Sequence, residues 1–139
     1  MMGPHKNLQV WQDSMALVSL VYKMTRNFPR YEVFGLSSQM QRAAVSIPSN
    51  IAEGYGRASN PDLIHFLHIA LGSSNELDTQ IQIARNEEYI SEEEYHQLEN
   101  MNDNVMRMLQ SLIHTRKKYE MQTGQTSKPQ KPQNLQTFK

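Results

Sequence analysis

Few side chains in this chain have the type and spacing to do chemistry. His65 and His68 stand three apart with Asp62 upstream, which puts two imidazoles on one helix face where they could hold a metal. No third and fourth ligand follows at a metal-site spacing, so exposed helix histidines are the plainer reading. Gly54-Tyr55-Gly56 contains a G-x-G, but a dinucleotide fingerprint needs a preceding strand and a third glycine. Here the two glycines read as a helix terminator offering left-handed positions. Ser73 and Ser74 sit mid-helix without the sharp turn that exposes a nucleophile, and no P-loop or H-E-x-x-H occurs. The chain has no cysteine, which removes thiolate chemistry and disulfides. No activated nucleophile, carboxylate pair or cofactor cradle assembles, and the expectation is a protein that is not an enzyme and carries no cofactor or metal.

Two polar constellations remain. Arg42, Ser46, Asn50 and Glu53 recur at spacings of three and four and form a ridge beside an apolar helix face, while Glu76 stands among apolar residues further on. The expected arrangement is a satisfied network between two helices with Arg42 and Glu76 paired, a binding groove being the functional alternative. The second constellation is electrostatic. If four helices alternate in direction, Lys6, Arg57, Arg116, Lys117 and Lys118 converge at one end of the bundle, and Glu87, Glu88, Glu92, Glu93 and Glu94 gather at the other. Acids at the start and bases at the end of a helix are what its dipole favours; the functional reading of the basic end is a rim for nucleic-acid phosphates. Fourteen basic and fourteen acidic residues cancel overall, against a surface that attracts nucleic acid or anionic membrane everywhere.

The elements that must position these groups are helices. In the stretch beginning at Gly35, residues Leu36, Met40, Ala43, Ala44, Ile47, Ile51 and Gly54 share one face at the i, i+3, i+4, i+7 spacing. The opposite face, Ser37, Ser38, Gln41, Val45, Ser49 and Ala52, is small and uncharged where a solvated face normally carries Lys and Glu, so another backbone should approach it closely. Pro48 interrupts this helix, and because the apolar register continues across it a kink is expected rather than a break. A first helix is expected over residues 8–28, with apolar residues covering roughly 220° of the wheel, about twice the stripe one core requires. Asn60-Pro61-Asp62 starts a third helix running to about Asn86, with Asn60 as its cap. Its core stripe is Leu63, Phe66, Leu67, Ala70, Ser74, Leu77, Ile81 and Ala84, and a second line carries Ile69, Gly72, Glu76 and Ile83. Ser91-Glu92-Glu93-Glu94 is a capping box. The fourth helix that it opens has Leu98, Met101, Val105, Met108, Leu112, Thr115 and Tyr119 as its seam. The expectation is an all-α, antiparallel up-down-up-down four-helix bundle over residues 1–120, with a disordered Gln/Lys/Pro-rich tail over residues 121–139.

Ser46-Ile47-Pro48-Ser49-Asn50-Ile51-Ala52-Glu53-Gly54, preceded by Gln39-Met40-Gln41-Arg42-Ala43-Ala44, resembles the signature of the 23S rRNA intervening-sequence protein family of bacterial four-helix bundles. Ile69-Ala70-Leu71-Gly72-Ser73-Ser74-Asn75-Glu76-Leu77 is similar to its second signature. One departure is Asn86-Glu87-Glu88, where the family usually has a Leu-Gly turn. The resemblance implies a ring-shaped pentamer, as in the similar accessory variability protein of diversity-generating retroelements. It names no activity.

Two functional classes follow: a homo-oligomeric scaffold or adaptor for a protein partner, and an accessory factor that binds RNA or DNA at the basic rim. No signal-peptide or spanning segment is read, and a cytoplasmic location without membrane association is expected.

Overall fold

The computed structural model describes residues 3–127. It contains α1 (Gln9–Thr25), α2 (Leu36–Tyr55), α3 (Asn60–Asn86) and α4 (Glu92–Ser127), with short 3-10 turns at Pro4–Asn7 and Arg30–Glu32. Each helix packs on the next in the chain and α1 closes against α4, while neither diagonal pair touches, so the section is a square. Cross-helix contacts give the directions. Between α3 and α4, Asn60 meets Arg116, Ser74 meets Asn102 and Gln82 meets Tyr95, one number falling as the other rises. Between α1 and α4, Asn104 donates to Asp13 at 3.2 Å. At the other end the Phe28 and Tyr89 rings lie 5.1 Å apart. The helices therefore run antiparallel to their neighbours.

The apolar face read for α2 is buried throughout, from Leu36 to Gly54. The helix passes Pro48 without a break; the ring is itself buried, and its missing N–H costs the Ala44 carbonyl one partner. Ser37, on the uncharged face expected to meet another backbone, is buried as well. Gly54 and Gly56 do not act as left-handed terminators, because no described glycine has positive φ. Gly54 instead permits close approach: a Cβ there would lie 3.0 Å from Leu63 Cδ1 and 3.0 Å from Phe66 Cβ.

Several boundaries differ from the sequence expectation. Ser59 caps α3 by accepting from the Asp62 N–H at 3.2 Å. Asn60 is freed to reach α4, where its Nδ2 donates to the Arg116 carbonyl at 2.9 Å. The capping box of α4 forms as read, with Glu94 N–H donating to Ser91 Oγ at 3.1 Å and Ser91 N–H to Glu94 Oε1 at 2.8 Å. The core seam of α4 is Tyr95, Leu98, Asn102, Val105, Leu109 and Ile113; Met101, Met108 and Leu112 flank it, and Thr115 and Tyr119 are exposed. The helix also continues to Ser127 instead of ending near Tyr119, because Glu120, Met121 and Gln122 are good helix formers. Part of the segment read as a disordered tail is therefore helix, and residues 128–139 lie outside the described residues.

Glu88, in the Asn86-Glu87-Glu88 segment that ends α3, takes φ 62°. Its N–H donates to the Arg85 carbonyl at 3.0 Å and the Tyr89 N–H to the Ala84 carbonyl at 2.9 Å, the two bonds of a Schellman motif. A β-carbon in the left-handed region costs about 1 kcal/mol or more, partly offset in a glycine variant by a freer unfolded chain. Glu88→Gly is expected to stabilise the fold by up to about 1 kcal/mol, a rise of a few degrees in thermal midpoint when compared at one protein concentration. A lowered midpoint would show that the Glu88 side chain outweighs the backbone.

The buried polar pair on the core seam joins α3 to α4. Ser74 Oγ donates to Asn102 Oδ1 at 2.8 Å, and Asn102 Nδ2 donates to the Ser74 carbonyl at 3.0 Å, with both residues at most 1% exposed. Removing one partner strands the other in an apolar core. Ser74→Ala should therefore cost about 1–3 kcal/mol in urea unfolding, and Ser74→Ala/Asn102→Leu should cost less than the two single changes summed. Additive losses would mean that the two groups are not coupled.

Candidate functional site

The ridge of α2 divides when placed in the fold. Ser46 and Asn50 turn toward α3: Ser73 Oγ donates to Ser46 Oγ at 2.8 Å, and Asn50 Nδ2 donates to the Ser46 carbonyl at 2.8 Å and its Oγ at 2.9 Å. This is a satisfied seam between two helices. Ser73, absent from the ridge as read in sequence, is its α3 member. Among the described residues no His, Asp or Glu hydrogen-bonds either serine, and an amide such as Asn50 cannot take a proton, so neither hydroxyl is an activated nucleophile.

The charged members of the ridge lie outside that seam. Arg42 is exposed and donates to Ser38 Oγ at 2.6 Å; Glu76 is exposed and accepts from Gln80 Nε2 at 3.4 Å. The expected Arg42 to Glu76 pair does not form. Both side chains stand on the outer shoulders of their helices, where water solvates each charge and a surface pair gains at most about 1 kcal/mol. Glu53 pairs with Arg57 one turn along α2, at 2.8 Å, both side chains about half exposed. Gln80 is buried, and its Oε1 has no partner among the described residues.

The five basic residues read as a rim gather at one end, but they are not equivalent. Lys6 is exposed on the Pro4–Asn7 turn, which packs against α1 and α2. Arg57 is held by Glu53 and lies 4.8 Å over the Phe66 ring. Arg116 locks the start of α3 to α4, since its Nε donates to Asn60 Oδ1 at 2.8 Å while its own carbonyl accepts from Asn60 Nδ2 at 2.9 Å. Lys117 and Lys118 are exposed. Burial holds the His68 imidazole below its ordinary value, and the nearby positive charges of Lys117 and His65 add to this. His68 of α3 therefore stands close to Lys117 of α4, a neighbourhood that only the pairing of these helices reveals. Among the described residues no three His, Asp or Glu side chains converge as a metal site would require.

The opposite end is knitted by other groups. Tyr89 Oη donates to Glu32 Oε2 at 2.9 Å and lies 3.2 Å from Tyr31 Oη, while Glu32 Oε1 accepts from the Leu36 N–H at 2.8 Å. The hydrogen bond with Tyr31, burial and the Glu32 carboxylate all raise the Tyr89 phenol above its ordinary range. Arg85 clamps Glu92 through two bonds of 2.9 and 2.7 Å, which lowers the Glu92 carboxyl. These contacts staple the loops at this end. No described helix is long and apolar enough to cross a membrane.

Apolar side chains do reach the surface in quantity. On α1, Met15 is 42% and Tyr22 40% exposed, with Trp11 and Val18 half-buried beside them. The apolar arc read as twice too wide is therefore divided between a core side, Val10, Leu17, Val21 and Met24, and an uncovered side.

No curated protein matches this chain. Among solved structures it is similar to a protein of unknown function from the S23 ribosomal protein family of Bacteroides thetaiotaomicron, with 27% sequence identity over 76% of this chain and 95% of that one, and a TM-score of 0.71. The sequence matches the 23S rRNA-intervening sequence protein family across residues 6–111, so α1, α2, α3 and the first part of α4, with the α2–α3 seam, fall inside the match, and the chain belongs to that family.

Proposed function

We propose that this protein is a non-catalytic homo-oligomeric scaffold that presents several copies of its bundle to a protein partner. The observation that carries the reading is the uncovered apolar flank of α1, joined on other helices by Val45, Ile69 and Ile83, each more than a third exposed. Scattered surface hydrophobes need no explanation, but a line of them along one flank of a helix does. The polar groups supply no competing chemistry, since the serines lack a base and the charged residues are exposed. The family resemblance favours five subunits. Light scattering on the size-exclusion peak at micromolar concentration is expected to give about five times the 16.1 kDa chain mass. A monomer would overturn the reading.

The exposed Lys117 and Lys118 beside Arg116 favour a second reading, binding of RNA or single-stranded DNA by the basic end. Arg116 is needed to join α3 to α4, so the informative variant is Lys117→Glu/Lys118→Glu, which spares the fold. Contacts to phosphates alone would be weak, indifferent to sequence and steeply salt-dependent. On this reading, fluorescence anisotropy at low salt detects binding that weakens sharply toward physiological salt and that the double change abolishes. Absence of binding at low salt, or binding unmoved by the change, would leave the scaffold alone.

A further inference from the structure

We infer that the subunits meet through two different faces on either side of α2, the α1 flank of one copy seating on the α2–α3 shoulder of the next. This rests on the scaffold reading. At about 100° per residue, Trp11, Met15, Val18 and Tyr22 fall within a stripe about 60° wide. Thr25, which accepts from Gln41 of α2 at 2.9 Å, lies next to that stripe, and Asp13, which meets Asn104 of α4, lies far round the helix. The stripe therefore borders α2. On α3, Ile69, Gly72, Glu76 and Ile83 form a stripe next to Ser73, which meets Ser46 of α2, and away from Gln82, which meets Tyr95 of α4. This second stripe borders α2 from the other side.

The faces differ in composition, so neither is its own complement. The α1 stripe is bulky and aromatic, and Arg26, the cation at its border, forms no ion pair among the described residues. The α3 stripe holds a glycine at mid-helix, where a Cβ would meet nothing within 4 Å, flanked by Ile69, 37% exposed, and Ile83, 42% exposed. A glycine in an open helix interior costs about 1 kcal/mol relative to alanine, and nothing within the chain offsets it; a large side chain seated there from a second copy would. Glu76, one turn from Gly72 and without an ion pair among the described residues, offers the opposite charge. The heights are compatible. Counted through the Ser46–Ser73 and Thr25–Gln41 contacts Gly72 stands level with Ser19, and through the Ser74–Asn102 and Asn104–Asp13 contacts with Asp13, a span of α1 that contains Met15 and Val18.

Two unlike faces make a heterologous contact, which closes into a ring when the angle between the faces allows. Adjacent sides of a square bundle meet at about 90°, and the directions to two ring neighbours differ by about 90° for four subunits and about 108° for five. The faces thus close a small ring with α2 turned to its axis. Its outward side is the uncharged row Ser38, Gln41, Val45 and Ser49.

The chain has no cysteine, so introduced thiols report the contact directly. Met15→Cys and Gly72→Cys, made singly and together at exposed positions, are treated with a short flexible bismaleimide whose reach exceeds that of a disulfide, and light scattering is run on each before treatment. The expected result is no covalent dimer in either single variant, a dimer when the two are mixed and re-equilibrated, and a ladder of multimers in the double variant. A single variant that cross-links to itself, or an intact oligomer in which neither mixture nor double variant cross-links, would overturn this pairing and leave the scaffold standing. A monomer before treatment would overturn both.

Discussion

The closest approach in the molecule is between α2 and α3, and the other contacts follow from it. Where a Cβ on Gly54 would stand, Leu63 and Phe66 atoms already lie 3.0 Å away, and further along the same seam two serine hydroxyls touch at 2.8 Å. Helices this close need small residues at the contact. Ser46 and Gly54 on α2 meet Ser73, Leu63 and Phe66 on α3, while the large side chains Ile47, Ile51, Leu67 and Leu77 are fully buried in the core. With α2 and α3 fixed, the short connection between them leaves little freedom, and Ser59 rather than Asn60 is in position to cap. Asn60 is then available to bind Arg116 and hold the end of α4.

The faces of α2 and α3 were legible in the sequence because their apolar residues repeat at helical spacing with polar neighbours between. The first helix was legible in the same terms, including its surplus. The seam of α4 was not, and the reason is specific. Met101, Met108 and Leu112 make one stripe at spacings of seven and four, and Val105, Leu109 and Ile113 make another alongside, so hydrophobicity alone does not choose between them. The choice is settled by Asn102, a polar residue that is buried because Ser74 opposite satisfies it at both ends of its amide. Apolar periodicity cannot anticipate a buried polar residue whose partner lies on another helix. Glu88 is a similar case: the backbone needs a left-handed residue to end α3, and two hydrogen bonds enforce that conformation on a residue that does not favour it.

The polar ridge was half legible. Its spacing correctly implied a row along one side of α2, yet the charges and the small polar groups went to different places. Ser46 and Asn50 are short and form bonds near the helix backbone, so they fit a tight seam. Arg42 and Glu76 are long enough to reach water, and burying them as a pair would trade full hydration for one contact. The basic end shows the same division, with Arg116 committed to Asn60 and Lys117 left outward. Sequence order placed the positive residues together, but which of them a ligand could use depends on hydrogen bonds that only the folded chain defines.

The uncharged outward side of α2 is the feature that links these arguments. A helix that faced solvent alone would gain from Lys and Glu there, as α4 does with Arg107 and Asp103, paired at 2.6 Å across one turn. On α2 the corresponding positions carry Ser38, Gln41, Val45 and Ser49, all side chains that can approach one another without opposing charge. In the inferred ring, α2 is the helix nearest the axis, where copies of one side chain come closest to each other. A charge at such a position would be repeated by every subunit, and like charges at short range repel with little solvent between them. The uncharged row of α2, bordered by Arg42, the surplus apolar surface on α1 and the open glycine on α3 are then consequences of one constraint, namely that each bundle must accept a copy of itself on either side.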